Sequence, residues 1–289
     1  MAKIKRSPSS DINKTLRQSG TRAKKALGQN FLIDQVVLQT IISAADLTKS
    51  DTVIEVGPGL GILTEELAKK AGIVIAVELD EKLSSQLERK LTSLPNLTVI
   101  NSDILKTDIP DLLKGHDNYK VVANIPYYIT SPILHYFLES PVKPSMMIVM
   151  MQKEVGEAIV AEPGNLTMLA ISVQVFSLPR LISYVAPQSF YPQPRVESVI
   201  IRFDILPEPS VKVKDINMFL SFVKCGFKSP RKQLHNSLAQ GLGKAPGEIS
   251  PLLDKANIDS QRRAETITLD EWQNLYKIAQ SSGMELQSC

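Results

Sequence analysis

Cysteine is scarce in this sequence, and long apolar runs are missing. The 289 residues include two cysteines, too few for a disulfide framework, which favours a reducing compartment such as the cytosol. No apolar run approaches the roughly 18 residues that a membrane helix requires. The three histidines are scattered and have no cysteine partners, so no metal site is expected. The composition, 43% hydrophobic and 22% charged, is that of a globular protein with room for one large core and a smaller module.

A glycine-rich turn follows the first strongly apolar run. The pattern predicts a strand over about 52–57, a turn containing Gly57, Gly59 and Gly61, and then a helix. Glycines allow a sharp turn and close approach of a ligand to the backbone, next to the free N–H groups of the helix start. The third glycine of a dinucleotide fingerprint is replaced by Ile62, and the Gly-Lys-Ser/Thr of a P-loop is missing. The turn therefore favours an adenosine ligand without a pyrophosphate, and S-adenosylmethionine is the predicted cofactor.

Four residues follow four successive predicted strands at the point where each strand ends: Gly57, Glu78, Asp103 and Asn124. In an open α/β sheet, ligands bind outside the carboxyl ends of the strands. A carboxylate about twenty residues beyond the glycine turn is placed to accept hydrogen bonds from ribose hydroxyls. Each residue alone has a plain structural explanation as a turn, cap or solvated residue. Together, at matching strand ends, they predict a cofactor pocket.

The stretch Asn124-Ile125-Pro126-Tyr127 indicates what is methylated. Adenine's exocyclic amine is a poor nucleophile because its lone pair is delocalised into the ring. Hydrogen-bond acceptors for its N–H hydrogens turn the lone pair toward a methyl donor. The Asn124 side-chain oxygen and the Ile125 carbonyl could be those acceptors, and Pro126 fixes the turn that orients them. Tyr127 offers a flat face to a base removed from its stack, and Phe190 could close the other side, although core packing explains Phe190 equally well. Catalysis is then mainly positioning for in-line transfer.

Positive charge is unevenly distributed although the net charge is only +3. Residues 1–22 form a polar, basic arm that is expected to be disordered until bound, and the basic run continues through Lys24 and Lys25. A second cluster contains Lys228, Arg231 and Lys232. Two basic clusters around a nucleotide-binding domain favour a nucleic-acid partner.

The alternation of predicted strands and helices indicates a mostly parallel sheet up to the Pro207-Glu208-Pro209 segment, and only helices beyond it. We therefore predict a Rossmann-like α/β catalytic domain over 23–208 and a small helical, RNA-binding domain over 209–289. The two last strands, about 180–186 and 197–204, have no helix between them and predict an antiparallel hairpin at one edge of the sheet.

Several motifs together resemble the ribosomal RNA adenine N6,N6-dimethyltransferases, over about residues 20–280. The motifs are Gln29-Asn30-Phe31-Leu32, Glu55-Val56-Gly57-Pro58-Gly59-Leu60-Gly61, Asn124-Ile125-Pro126-Tyr127-Tyr128 and Phe190-x-Pro192-x-Pro194-Arg195-Val196-x-Ser198. The resemblance implies a class I S-adenosylmethionine-dependent methyltransferase fold with a seven-stranded sheet. It further implies that Asn30 and Leu32 close over the methionine end of the donor, and that the four strand-end residues line its pocket. The implied substrate is a pair of adjacent adenosines in the 3′-terminal hairpin of 16S ribosomal RNA, each methylated twice on the immature small subunit.

Three alternatives stay open. Ile125 is common in the relatives that confer antibiotic resistance by methylating large-subunit (23S) RNA, whereas the segment from Lys228 to Asn236 favours the small-subunit type. A DNA adenine methyltransferase commonly has an acidic residue where this chain has Asn124. A ribosome-assembly factor with little turnover would not require the intact set of strand-end residues. We expect a cytoplasmic monomer that acts on ribosomal RNA.

Overall fold

The computed structural model describes residues 23–24, 27–116 and 118–284. The predicted basic arm, residues 1–22, and Lys25 lie outside the described residues. The chain divides into two compact units, the first formed by residues up to Gly156 with Pro179–Ile205, the second by Glu157–Leu178 with residues from Leu206 onward.

A seven-stranded sheet forms the centre of the first unit. The strands, in chain order, are β1 (Phe31–Leu32), β2 (Thr52–Val56), β3 (Ile73–Glu78), β4 (Leu97–Asn101), β5 (Tyr119–Asn124), β6 (Met146–Gln152), β7 (Ser177–Val185), β8 (Phe190–Tyr191) and β9 (Ser198–Ile205). Their order in the sheet is β4-β3-β2-β5-β6-β9-β7, while β1 and β8 form a separate two-stranded antiparallel sheet. Strands β2 to β6 are parallel and β9 is antiparallel to β6, which confirms the mostly parallel sheet predicted from the sequence.

The helices cover the sheet in the first unit and make up most of the second. In chain order they are α1 (Gln35–Ala45), α2 (Ile62–Lys70), α3 (Glu81–Lys90), α4 (Ile109–Leu113), α5 (Thr130–Leu138), α6 (Lys153–Ile159), α7 (Met168–Gln174), α8 (Ile216–Gly226), α9 (Leu234–Leu242), α10 (Pro246–Lys255) and α11 (Leu269–Ser281). No helix among the described residues is long and apolar enough to cross a membrane.

Burial of both faces explains the composition of the central strands. Every residue of β2 is buried, and so are Met146 to Met151 of β6. Strands of a parallel sheet with helices on both faces are apolar throughout, whereas a one-sided sheet would alternate. The exceptions within β2 are Thr52 and the ionisable Glu55, which is 1% exposed.

The glycine turn is fixed by a packing contact at the start of α2. Gly61 caps α2 with a φ of +79°, and a Cβ atom at this position would lie 2.3 Å from Leu87 Cδ1 on α3. A residue with a side chain would therefore displace the Leu87 methyl group as well as strain the backbone. Glycine at this position lets α2 begin directly beneath the turn.

The described part of the second unit consists of helices and their connections, apart from the first residues of β7. Its core includes Trp272, whose ring packs edge-on against Phe222, and Tyr276, which packs against Phe219. The stretch Thr268-Leu269-Asp270-Glu271 has the sequence pattern of a capping box, and in the structure Thr268 and Glu271 form that box at the start of α11.

The second unit also takes up Glu157–Leu178, which the sequence places within the catalytic domain. Backbone hydrogen bonds tie this segment to the helical region: Ser210 N donates to the Val175 carbonyl, and Gly164 N donates to that of Glu265. These bonds join residues that are far apart in sequence, and local periodicity does not reveal them.

Candidate active site

A pocket lies at the carboxyl edge of the sheet in the first unit. It is lined by the turn after β2, the ends of β3, β4 and β5, and the segment 27–32. Every cofactor-binding residue expected from the sequence lines this pocket: Asn30, Leu32, Gly57, Glu78, Asp103 and Asn124. The pocket also includes the predicted catalytic residues Ile125, Pro126 and Tyr127.

Gly57 and Gly59 of the turn present backbone rather than side chains to the pocket. Gly57 and Gly59 have φ values of +68° and +57°. A Cβ atom at Gly59 would lie 3.0 Å from the Phe31 ring, so a side chain there would require the ring to shift by a few tenths of an ångström. Gly57 N donates to the Val77 carbonyl over 3.0 Å, which holds the turn against the end of β3.

Glu78 lies at the end of β3 and is buried, so it is not a solvated glutamate. Its two carboxylate oxygens accept hydrogen bonds from Gly59 N at 3.0 Å and from Asp80 N at 2.9 Å. Burial raises the pKa of the Glu78 carboxyl, and these backbone hydrogen bonds act in the opposite direction. Each oxygen keeps acceptor capacity for a further hydroxyl donor.

Asp103 combines the two roles that the sequence left open. One oxygen caps the short 3₁₀ turn Ile104–Lys106 by accepting from Leu105 N at 3.1 Å. The side chain, about a third exposed, also lines the pocket.

Glu55 also lines the pocket, and no role was assigned to it from the sequence. Its Oε2 atom is buried without a hydrogen-bond partner in the described structure, and the nearby Thr64 Oγ1 is in the same state. Burial raises the pKa of the Glu55 carboxyl to about 8, and the charge of the nearby Glu78 adds to the rise. The signal was present in the sequence as an acidic residue in the middle of an apolar, β-branched strand.

Asn124 ends β5 with its side-chain amide held in one orientation. Its Nδ2 donates to the Asn30 carbonyl over 3.2 Å, and Asn30 Nδ2 in turn donates to the Gly28 carbonyl at 3.1 Å. The Oδ1 atom of Asn124 is therefore the group left to accept a hydrogen bond from a ligand.

Tyr127 is half-buried in the turn after Pro126. Its hydroxyl shares a 2.8 Å hydrogen bond with Ser198 Oγ, the first residue of β9. Burial raises the pKa of the Tyr127 hydroxyl while the Ser198 hydrogen bond lowers it, so the phenol is neutral at physiological pH. The next residue, Tyr128, is 58% exposed at the pocket.

Phe190 does not line the pocket. It is 1% exposed and belongs to a core cluster that contains Leu32 and Leu38. In the β1–β8 sheet it is paired with Leu32, and the neighbouring Ser189 Oγ donates to Asp34 Oδ2 at 2.8 Å. The structure thus places Phe190 behind the 27–32 segment, where it supports the pocket wall.

The predicted RNA-binding residues lie in two different settings. Lys24 Nζ forms a 2.8 Å ion pair with Asp80, which also accepts from Gln29 Nε2. Burial acts to raise the pKa of Asp80, but these hydrogen bonds outweigh it and lower the pKa. In the second unit, three cations lie exposed between α8 and α9, and none of them forms an ion pair within the described part of the chain. These are Lys228, Arg231 and Lys232.

The pocket fits a cationic, adenosine-containing ligand better than an anionic one. Two buried carboxyl groups, Glu55 and Glu78, face it beside Asp103, and an unpartnered carboxyl oxygen is among them. A pyrophosphate would meet carboxyl groups and no cationic side chain among the described residues that line the pocket, whereas ribose hydroxyls would find acceptors at Glu78 and Asp103. Among the described residues no cluster of three metal-ligating side chains occurs.

Comparison with known proteins agrees with this geometry. Residues 20–281 match the family described as "Ribosomal RNA adenine dimethylase". A protein of Dehalococcoides mccartyi named "Ribosomal RNA small subunit methyltransferase A" is 49% identical over 254 residues, which cover 88% of this chain and 87% of the relative. A relative of the same name in Alkaliphilus metalliredigens is 43% identical over 262 residues, covering 89% of this chain and 91% of that one.

Solved structures give the same fold. The 23S rRNA methyltransferase ErmE matches with a TM-score of 0.70 and 28% identity, covering 86% of this chain and 99% of ErmE. A dimethyladenosine transferase from Plasmodium falciparum matches with a TM-score of 0.76 and 23% identity, covering 89% of this chain and 100% of that one. These matches confirm the predicted methyltransferase fold, and the family confirms S-adenosylmethionine as the expected cofactor. The chain belongs to the ribosomal RNA adenine dimethylase family.

Proposed function

We propose that this protein dimethylates N6 of two adjacent adenosines in the 3′-terminal hairpin of 16S ribosomal RNA, with S-adenosylmethionine as methyl donor. Relatives at 42–50% identity are named small subunit methyltransferases. The proposal depends on one observation: two groups of residues line the same pocket. The first half-site is the glycine turn with Glu78 and Asp103, and the second is the Asn124–Tyr127 stretch.

The first half-site suits the donor. Glu78 would accept from ribose hydroxyls, and Asp103 lies at the next strand end, where adenine amines can be bound. Asn30 and Leu32 would cover the methionine end, since they line the pocket on either side of Phe31, whose ring lies beside Gly59 of the turn. When bound, the donor would supply the methyl group: the S–C bond breaks as the N6–C bond forms, the sulfur leaves as a neutral thioether without a metal, and the methylated amine releases one proton to solvent.

The second half-site suits the target amine. Asn124 Oδ1 is the acceptor left by the Nδ2–Asn30 hydrogen bond, and the Ile125 carbonyl follows it directly. Two acceptors on the N–H hydrogens would rotate the nitrogen lone pair out of the adenine ring and toward the methyl group. Pro126, with φ of −58° and ψ of 134°, holds the turn, and the Tyr127 ring would stack on the extruded base. Holding both reactants in line is the main source of catalysis.

The RNA would be held through positive charge outside this pocket. Lys228, Arg231 and Lys232 are exposed and form no ion pairs in the described structure, so their charges are available to phosphates. Lys24 keeps nearly half of its side chain exposed while paired with Asp80, and Lys25 lies outside the described residues. We further propose that the partner is the immature small subunit and that the protein acts as a cytoplasmic monomer.

Methyl transfer to defined RNAs tests the proposal. Purified protein is given radiolabelled donor with small-subunit particles from cells lacking the protein, naked 16S RNA, 23S RNA and duplex DNA. We expect dimethyladenosine in the particles and, by nucleoside mass spectrometry, its loss from cells that lack the protein. Preferred labelling of 23S RNA would instead support the resistance-type alternative suggested by Ile125. Correct particle assembly without any methylation would support an assembly factor with little turnover.

A further inference from the structure

Ser198 carries a buried hydroxyl that the proposed mechanism does not use. It is 0% exposed and begins β9, and its Oγ shares a hydrogen bond with the Tyr127 hydroxyl at 2.8 Å. Ser198 is also the last residue of the Phe190–Ser198 motif that the sequence singles out.

The sheet topology brings Ser198 to the catalytic edge. Strand β9 runs antiparallel to β6, so it begins where the parallel strands end. Ser198 is paired with Gln152, two residues beyond Met150, which is paired with Asn124. A side chain from the antiparallel strand therefore reaches the turn that follows the parallel strand β5.

We infer that Ser198 is a positioning residue, which holds the Tyr127 ring in the orientation that receives the extruded adenine. This inference rests on the function proposed above. The Tyr127 side chain is attached to the backbone at Cβ and to β9 at its hydroxyl, so the axis of the ring is fixed at both ends. Without the second attachment the ring rotates about χ1, and rotation tilts the face on which a base stacks.

The geometry distinguishes the two adjacent tyrosines. Tyr128 is 58% exposed, whereas the Tyr127 ring is half-buried and tied to β9. A rigid aromatic face loses less conformational entropy when a base stacks on it than a mobile one does. Loss of this hydrogen bond would leave the buried Ser198 hydroxyl unpaired, which is unfavourable and therefore stabilises its pairing with Tyr127.

A double-mutant cycle tests the inference with Ser198→Ala, Tyr127→Phe and the double variant. Each single change removes the same hydrogen bond, so we expect each to lower kcat on RNA by roughly five- to twentyfold. The double variant should be no slower than the slower single variant. The Kd for donor alone, measured by calorimetry, should change by less than about twofold, which a general loss of structure would not allow.

Two control variants remove buried hydroxyls that do not line the pocket. Tyr119→Phe removes a 3.0 Å hydrogen bond to the Val142 carbonyl, and Ser177→Ala removes one to the Val173 carbonyl. Both should keep the wild-type kcat even if the melting temperature falls. If Ser198→Ala does not fold, Tyr127→Phe decides alone, because it keeps the ring and leaves a hydroxyl on serine.

The outcomes separate the two proposals. A wild-type protein that methylates none of the RNAs overturns the proposed function and this inference with it. An active wild type whose Ser198→Ala variant turns over normally overturns the inference alone. Losses that multiply in the double variant also overturn it, because they mean that the two hydroxyls act independently.

Discussion

The buried carboxyl of Glu55 makes the stability of the protein depend on pH in a predictable direction. In the folded chain, burial raises its pKa to about 8 from an ordinary value of 4.5. Between these two pH values the folded protein holds the proton and the unfolded chain has released it. The unfolded state therefore binds fewer protons, and stability falls as pH rises through this window. Below it, Glu55 is protonated in both states and imposes no charge penalty.

The size of this effect follows from the linkage relation. Relative to a neutral side chain, each pH unit within the window removes about 1.4 kcal/mol of stability. At pH 7 the accumulated loss is about 3 kcal/mol, a large fraction of the stability of an ordinary domain. Glu55→Gln keeps the shape and removes the titrating group, so its stability relative to wild type should rise by this amount between acidic and neutral pH.

Urea unfolding of the ligand-free protein measures the difference. Wild type and Glu55→Gln are compared at four pH values from about 4.5 to about 8.5, with circular dichroism following both units and Trp272, the single tryptophan, following the second unit. Glu88→Gln makes the same chemical change at an exposed position of α3 and serves as the control. If the free energy of unfolding of wild type and of Glu55→Gln changes with pH in the same way, the reasoning is refuted, because the Glu55 carboxyl then titrates as it does in water.

Three further predictions concern the proposed site. Asn124→Ala should abolish methyl transfer while leaving the melting temperature unchanged; near-normal turnover would mean that Asn124 does not accept a hydrogen bond from the target amine. Glu78→Ala should weaken donor binding by about 1–3 kcal/mol in calorimetry, because the ribose hydroxyls lose their acceptor. An unchanged affinity for the donor would mean that Glu78 does not bind the ribose. Replacing Lys228, Arg231 and Lys232 by Ala should weaken RNA binding and reduce the slope of log K against log salt by about 2, whereas an unchanged slope would mean that these cations do not contact RNA.

Short-range sequence patterns were enough to predict most of the secondary structure. Apolar β-branched runs, the turn containing Gly57, and the capping box at Thr268 are short-range signals, and the structure has strands, turn and helix where they predict them. The alternation of strands and helices was enough to predict a mostly parallel sheet, because parallel strands require crossover connections. The assignment of Glu157–Leu178 to the second unit was not predictable, since it depends on hydrogen bonds between distant residues.

The sequence by itself determined that Glu78 and Asn124 reach the carboxyl edge of the sheet, because strand-end positions follow from the period and order of the strands, but it gave no role to Glu55. Only the tertiary structure decided how these groups are held. Phe190 pairs with Leu32 and lies outside the pocket, and Lys24 forms an ion pair with Asp80. Ser198, 71 residues beyond Tyr127 in the sequence, shares a hydrogen bond with it. The physical reason is that spacing along the chain specifies which edge a residue reaches, whereas burial and hydrogen bonding between distant segments specify its partner.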